Sequence, residues 1–233
     1  MPKKAVRLNR GWPTIAIVNH SDNVTQARLR LAVKALQKQV DQDFFPVWGW
    51  RAKLSIRSKV PRGLMSVVLR NRNRSGDGDE GYHLDETGIP SATVYTHGFG
   101  GKDQEVFATL SHEVLEMITD PGVNLYASTY RTFRGRRHSA FVGVEVCDAV
   151  QFCYYEIDGI QVSDFVVPEW FETDRAPGSM KFSFRGNVDG PLKLAKGGYM
   201  DVVIKGRLSQ FGGPKHKPRH RMMARQRVLD GGR

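Results

Sequence analysis

Residues 109–121 read TLSHEVLEMITDP, with His112 and Glu116 four positions apart. On an α-helix that spacing stacks two side chains one turn apart on the same face. Glu113 follows His112 directly and is rotated from it by about 100°. An imidazole and a carboxylate so placed are two of the donors a divalent cation takes. A carboxylate beside them that does not ligate can take a proton from water activated at the metal. The pattern is that of the His-Glu-x-x-His zinc helix with its second His replaced by Glu. The replacement adds negative charge and hardens the donor set. Zinc stays the first expectation, and manganese, iron or calcium fit better than they would beside two imidazoles. The competing reading is an amphipathic helix with a solvated acidic face. Against it, Val114, Leu115, Met117 and Ile118 interleave with the polar residues. A helix this apolar is expected to be covered on more than one side, and charges buried on it need partners.

A catalytic site of this type needs a third protein donor. Residues 141–150, FVGVEVCDAV, set Glu145 and Asp148 in an otherwise apolar run. Either could supply that donor. Equally, Asp148 could cap a turn and Glu145 could pair with Arg134, Arg136 or Arg137. His83 is a further candidate, if a loop brings it in.

Taken together, Ser-His-Glu-Val-Leu-Glu-Met-Ile-Thr-Asp-Pro and the later Glu-Val-Cys-Asp resemble a pattern found in a diffuse set of bacterial proteins and in the plant phosphate-induced (exordium-like) proteins. In these, His-Glu-x-x-Glu runs into Thr-Asp/Asn-Pro. Some tens of residues later comes Glu-x-x-Asp near a Cys. They are regarded as zincin-like domains of metallopeptidase type. The resemblance spans about residues 103–148. It implies His112 and Glu116 as metal ligands, Glu113 as the base, and Glu145 or Asp148 completing the site. This chain departs in one respect: Cys147 precedes Asp148, whereas the relatives tend to place the Cys after the Asp.

The elements that must hold these residues can be read from periodicity. Residues 14–18, TIAIV, predict a buried strand. Residues 21–23 offer N-caps for a long helix with the apolar stripe Leu29, Val33, Leu36, Val40 and Phe44, ended by Pro46. Strands are expected at 51–56, 64–69 and 91–97, and a polar loop at 71–88. The helix at 103–119, started by Asp103 and stopped by Asp120-Pro121-Gly122, carries His112. After a loop with a basic knot around Arg134–His138, Asp158-Gly159 marks a hairpin between 151–157 and 160–167. Shorter strands are expected at 180–184 and 199–204. The order strand, helix, strands, helix is similar to the N-terminal half of a zincin. The expected class is α+β: a mixed sheet, two main helices and a β-rich C-terminal half, forming one domain over 1–204.

Composition bounds the rest. The chain has 233 residues, 40% of them hydrophobic, and a formal charge of +11. From residue 205 onward nine basic residues face only Asp230, which leaves the body close to neutral. A flexible basic tail over 205–233 is expected, able to hold nucleic acid or another polyanion nonspecifically. Phe211 is its only aromatic, so stacking on bases is poorly supplied. Two cysteines, Cys147 and Cys153, make no disulfide framework. No apolar stretch is long enough for a membrane span. The run at 14–18 is too short for a signal-peptide core. The expected location is cytoplasmic, with leaderless export left open. Functionally, a metal-dependent hydrolase acting on a peptide or protein stands first. The alternatives are a non-catalytic binding or structural protein on the same scaffold, and a nucleic-acid-associated protein working through the tail.

Overall fold

The computed structural model describes residues 11–71, 81–84, 88–97, 103–133 and 135–213. Strand β1 (Thr14–Asn19) is the β-branched run near the N-terminus and its centre is wholly buried. It is flanked in parallel by β2 (Lys53–Arg57) and β3 (Met65–Arg70). β5 (Ser91–Tyr95) continues the sheet in parallel beside β3, and β4 (Gly81–Leu84) runs antiparallel along its edge. The sheet order is thus β2-β1-β3-β5-β4. β4 lies inside the stretch expected to be loop. Four residues among Asp, Gly and Arg give too little alternation to reveal a strand.

Helix α1 (Gln26–Lys38) crosses from β1 to β2 and buries Leu29, Val33 and Leu36 against the sheet. Thr25, not residues 21–23, caps it, its hydroxyl accepting from the Arg28 amide at 3.2 Å. Residues 21–23 instead tie the strand ends together: Asn71 accepts from the Asp22 amide, and Asn23 donates to the Thr96 carbonyl. The predicted stripe holds through Val40 and Phe44, but the backbone widens to a π-helix over Gln39–Phe44. Pro46 then sits in the first turn of a short helix, α2 (Phe45–Trp48), where its missing N–H costs nothing, and Gly49 ends the run at φ +72°.

Helix α3 (Asp103–Thr119) has the predicted bounds. It is buried all round: Val106, Leu110, Val114 and Met117 along one stripe, and Ser111, His112, Glu116 and Glu113 around the rest of its circumference. Asp120 closes it by accepting from the Asn124 and Leu125 amides. The Thr-Asp-Pro segment is therefore a stop signal held by hydrogen bonds.

The second half corrects the sequence reading at several points. β6 (Tyr126–Phe133) and β7 (Arg136–Gly143) form a hairpin through the region expected to be a basic loop. β10 (Tyr199–Ile204), which matches its predicted bounds, joins β7 on one side and β11 (Arg207–Gly212) on the other. The four-stranded order is β11-β10-β7-β6. The folded chain therefore passes the boundary expected at 204, because β11 supplies the edge that β10 pairs with. Residues 214–233 of the expected tail lie outside the described residues, as do the side chains of Arg134, Arg136 and Arg137. β8 (Tyr154–Ile157) and β9 (Ile160–Ser163) form the expected hairpin, with Asp158 and Gly159 both at positive φ as a tight I′-type turn requires. Residues 180–184 form no strand and contribute one bridge, Ser183 to Val166. Among the described residues no helix is long and apolar enough to cross a membrane.

Candidate metal centre

Three elements meet at His112. The third turn of α3 carries it. Glu116 lies one turn on, and its Oε1 is 3.1 Å from the imidazole Nε2. The chain returning from β7 passes through Glu145 and Cys147 into a short 3-10 turn, Asp148–Val150. There Asp148 Oδ1 stands 3.2 Å from the same Nε2. The Cys147 amide donates to Glu116 Oε1 at 3.4 Å. The Cys147 sulfur, His112 and Glu116 each offer a donor atom within 4.8 Å of the other two. All four side chains are buried.

The return loop is held by its neighbours. Val144 donates to the Leu125 carbonyl, and Val166 donates to the Val146 carbonyl at 2.7 Å. Behind the centre, a closed set of buried hydrogen bonds fixes α3. The Ser111 hydroxyl donates to Gln39 Oε1 at 2.8 Å, Gln39 Nε2 donates to the Ser163 carbonyl at 2.8 Å, and the Ser163 amide donates to Ser111 Oγ at 3.0 Å. Gln39 opens the π-helical stretch, so the widened turn stands where α1 must reach α3 and β9 together. Tyr155 extends this network from Gln39 to Asp43, and burial with the Asp43 hydrogen bond pushes its phenol far above the ordinary tyrosine value.

The electrostatics follow from burial. Desolvation alone would lower the His112 pKa. The charge of Glu116, the hydrogen bonds with Asp148 and Glu116, and the charge of Asp148 outweigh it and hold the ring well above its ordinary value. Burial pushes the Cys147 thiol up, and the Glu116 charge pushes it further against a hydrogen bond from Ser163. Without a cation beside it, the thiol is thus held in its protonated form. Cys147 and Cys153 are both free.

Two donor sets share His112 and Glu116: one adds Asp148, the other Cys147. A neutral imidazole with two carboxylates carries a charge that a divalent cation cancels. Donors around a tetrahedral ion at about 2.0–2.2 Å stand roughly 3.3–3.5 Å apart. The observed 3.1 and 3.2 Å at Nε2 are hydrogen-bond distances, as the raised ring pKa requires, and lie just inside that spacing. His112, Glu116 and Cys147 form a group that could hold a metal ion, and Asp148 touches the ring nitrogen beside them.

Glu113 takes a different environment. It is buried, but its carboxylate faces the edge strand. A Cβ placed on Gly81 of β4 would stand 2.8 Å from Glu113 Oε1 and 2.9 Å from the Thr109 methyl. With a glycine there, β4 lies this close over α3 without displacing Glu113 or Thr109.

Of the predicted residues, the fold brings His112, Glu116 and Asp148 to one nitrogen. In the return loop, Asp148 makes contact with the ring. Glu145 is buried in the same loop. The side chain of His83 lies outside the described residues. Cys147 is the donor that sequence reasoning missed. Its place just before Asp148 was the available signal, but nothing in sequence links it to His112. Comparison with protein-family models, with curated proteins and with solved structures gives no match to this chain.

Proposed function

We propose that the protein is a metal-dependent hydrolase of zincin-like fold, with a peptide bond as the first candidate substrate. The observation that carries the reading is the convergence of buried Glu116 and Asp148 on His112 Nε2 at 3.1 and 3.2 Å. The order strand, helix, strands, helix, with α3 lying against β4 and β5, supports the fold assignment. In this reading His112, Glu116 and Asp148 hold a divalent metal, zinc first, and Cys147 is a reserve donor. Glu145 is left outside the ligand set. The bound ion supplies Lewis-acid polarisation of water and of a carbonyl.

The chain's own residues do the rest. Glu113, one residue from His112 but turned toward β4, is the base: a buried carboxylate on the ligand helix takes and returns a proton. The absence of a side chain at Gly81 leaves room for that carboxylate beneath β4. The Gln39–Ser111–Ser163 bonds hold α3 in register with the loop that brings Asp148. Burial of the whole group keeps bulk water from competing for the donors.

Elemental analysis of purified protein tests the reading. One equivalent of metal is expected in the parent chain, and none in His112→Ala. Glu113→Gln should retain the metal and lose about 10²–10⁴-fold in cleavage of fluorescein-labelled casein. Absence of stoichiometric metal from the parent removes the reading. Unchanged cleavage by Glu113→Gln removes Glu113 from it.

A further inference from the structure

The opposite edge of the five-stranded sheet carries a second feature. β2 ends the sheet, and among the described residues no strand pairs with its outer side. Between that edge and α1 runs a groove of about 580 Å³, floored by Val33, Leu54 and Ile56. Arg30, Lys34 and Lys38 stand along its helical wall at intervals of four residues. Lys38 is paired with Asp158. Asp41, the acidic residue in the lining, accepts from Gln37 at 3.1 Å and lies 4.0 Å from Arg51. Among the described residues Arg30 and Lys34 make no ion pair, although the Lys34 charge reaches Asp158, and both are exposed.

The edge is already half engaged by a side chain that imitates a strand. Gln37 accepts from the Leu54 amide at 2.8 Å and donates to the Ala52 carbonyl at 3.1 Å. The Lys53 amide turns the other way, to Pro13. By the alternation of a strand, the Leu54 carbonyl and the Ile56 amide face outward with the groups that Gln37 holds. An incoming chain would take up the pairing where Gln37 leaves it.

We propose that this groove binds an extended acidic peptide, added as a strand to β2 with carboxylates on alternate residues. The spacing carries the proposal. Four helical residues advance about 6 Å. Two strand residues advance about 6.6 Å. Arg30 and Lys34 therefore match side chains i and i+2 of a strand lying on β2, on the face that Leu54 and Ile56 share. Main-chain pairing supplies affinity, and the two cations supply the sequence preference. Charge excludes the chain's own C-terminal segment as occupant, since Asp230 is its only acid. The groove lies at the other edge of the sheet from α3 and does not depend on the hydrolase reading.

The test uses the full chain, isotope-labelled, titrated with acetyl-Glu-Thr-Glu-Thr-Glu-Thr-amide. Saturable binding is expected, with NMR shifts at the Leu54–Ile56 amides. Arg30→Glu with Lys34→Glu should weaken it by about tenfold or more. Ile56→Pro, tolerated on an edge strand, should remove it by deleting the outward amide. The block peptide Glu-Glu-Glu-Thr-Thr-Thr, with the same charge, should bind more weakly. No binding at millimolar peptide, equal binding of the block peptide, or binding indifferent to both groove variants overturns the proposal; the last points to the basic C-terminal segment. So does tighter, groove-dependent retention of single-stranded RNA, or a groove-dependent dimer.

Discussion

The two edges of the five-stranded sheet handle charge in opposite ways. Near the β4 edge, α3 sinks His112, Glu113 and Glu116 below the surface, and a loop from the other half of the chain adds Asp148. At the β2 edge, α1 keeps its cations in water and buries only the stripe beneath them. The same helical spacing of four serves both, but the surroundings set its energetic weight. In low dielectric a charge without its counterpart is costly, whereas in solvent it is screened and nearly free. One edge should therefore be intolerant of substitution and the other permissive.

The largest effect belongs to the buried edge. In metal-free protein His112→Ala leaves Glu116 and Asp148 together without the ring that joins them. Breaking a buried ionic cluster in this way costs about 3–5 kcal/mol. Urea unfolding measures it, and a loss below about 1 kcal/mol would place the cluster on a par with surface pairs. The parent should also show a pH slope. The folded chain holds the His112 proton above the usual 6.5. That contribution is complete below about pH 6.5 and is lost as pH climbs through the folded value. Metal-free protein should weaken as pH rises above about 6.5, and His112→Gln should lack the slope. Cation retention should rise over the same interval, because the cation needs the ring nitrogen the proton occupies.

The two edges also differ in how much of them was legible in sequence. α3 was readable to its ends, because a 17-residue apolar period and an Asp-Pro stop agree with each other. The pairing of His112 with Glu116 is local and followed from helix geometry. The choice between Glu145 and Asp148 is not local. It depends on how the loop after β7 is strung between Leu125 and Val166, and no spacing encodes that. Cys147 was hidden for the same reason. β6, β7 and β11 escaped notice because Ser, Thr, Tyr, Gln and Arg fill positions where alternation would need apolar residues. The π-helical turn at Gln39 leaves the apolar stripe intact, so only the buried bonds to Ser111 and Ser163 reveal it. The groove at β2 had no signature, since Arg30 and Lys34 look like any solvated helix face until the neighbouring edge is seen to be open.

A smaller effect is expected where β4 crosses α3. Gly81→Ala forces a methyl to 2.8 Å from the Glu113 carboxylate and 2.9 Å from the Thr109 methyl, so β4 or Glu113 must shift. Overpacking of this kind costs about 1–3 kcal/mol. Gly11→Ala is the control, since nothing lies within 4 Å of its added carbon. Thermal unfolding should separate the two. If Gly81→Ala unfolds with the parent, β4 or Glu113 yields freely to the methyl.

The smallest effect lies at the open edge. Arg30 and Lys34 are exposed, and among the described residues neither makes an ion pair. Reversing both charges should move stability by no more than about 0.5 kcal/mol per site, the usual range for surface positions away from caps and networks. Two opposing effects bound it. Glu at 30 and 34 lies nearer the acid at Asp41 and Asp158, which opposes folding slightly. It also relieves the like-charge spacing of four among Arg30, Lys34 and Lys38, which favours the helix. Their near cancellation makes the double variant useful, because a change in peptide binding cannot then be charged to unfolding. A loss of several kcal/mol in urea would show that the basic stripe belongs to the fold, and the contrast between the two edges would fail on its permissive side.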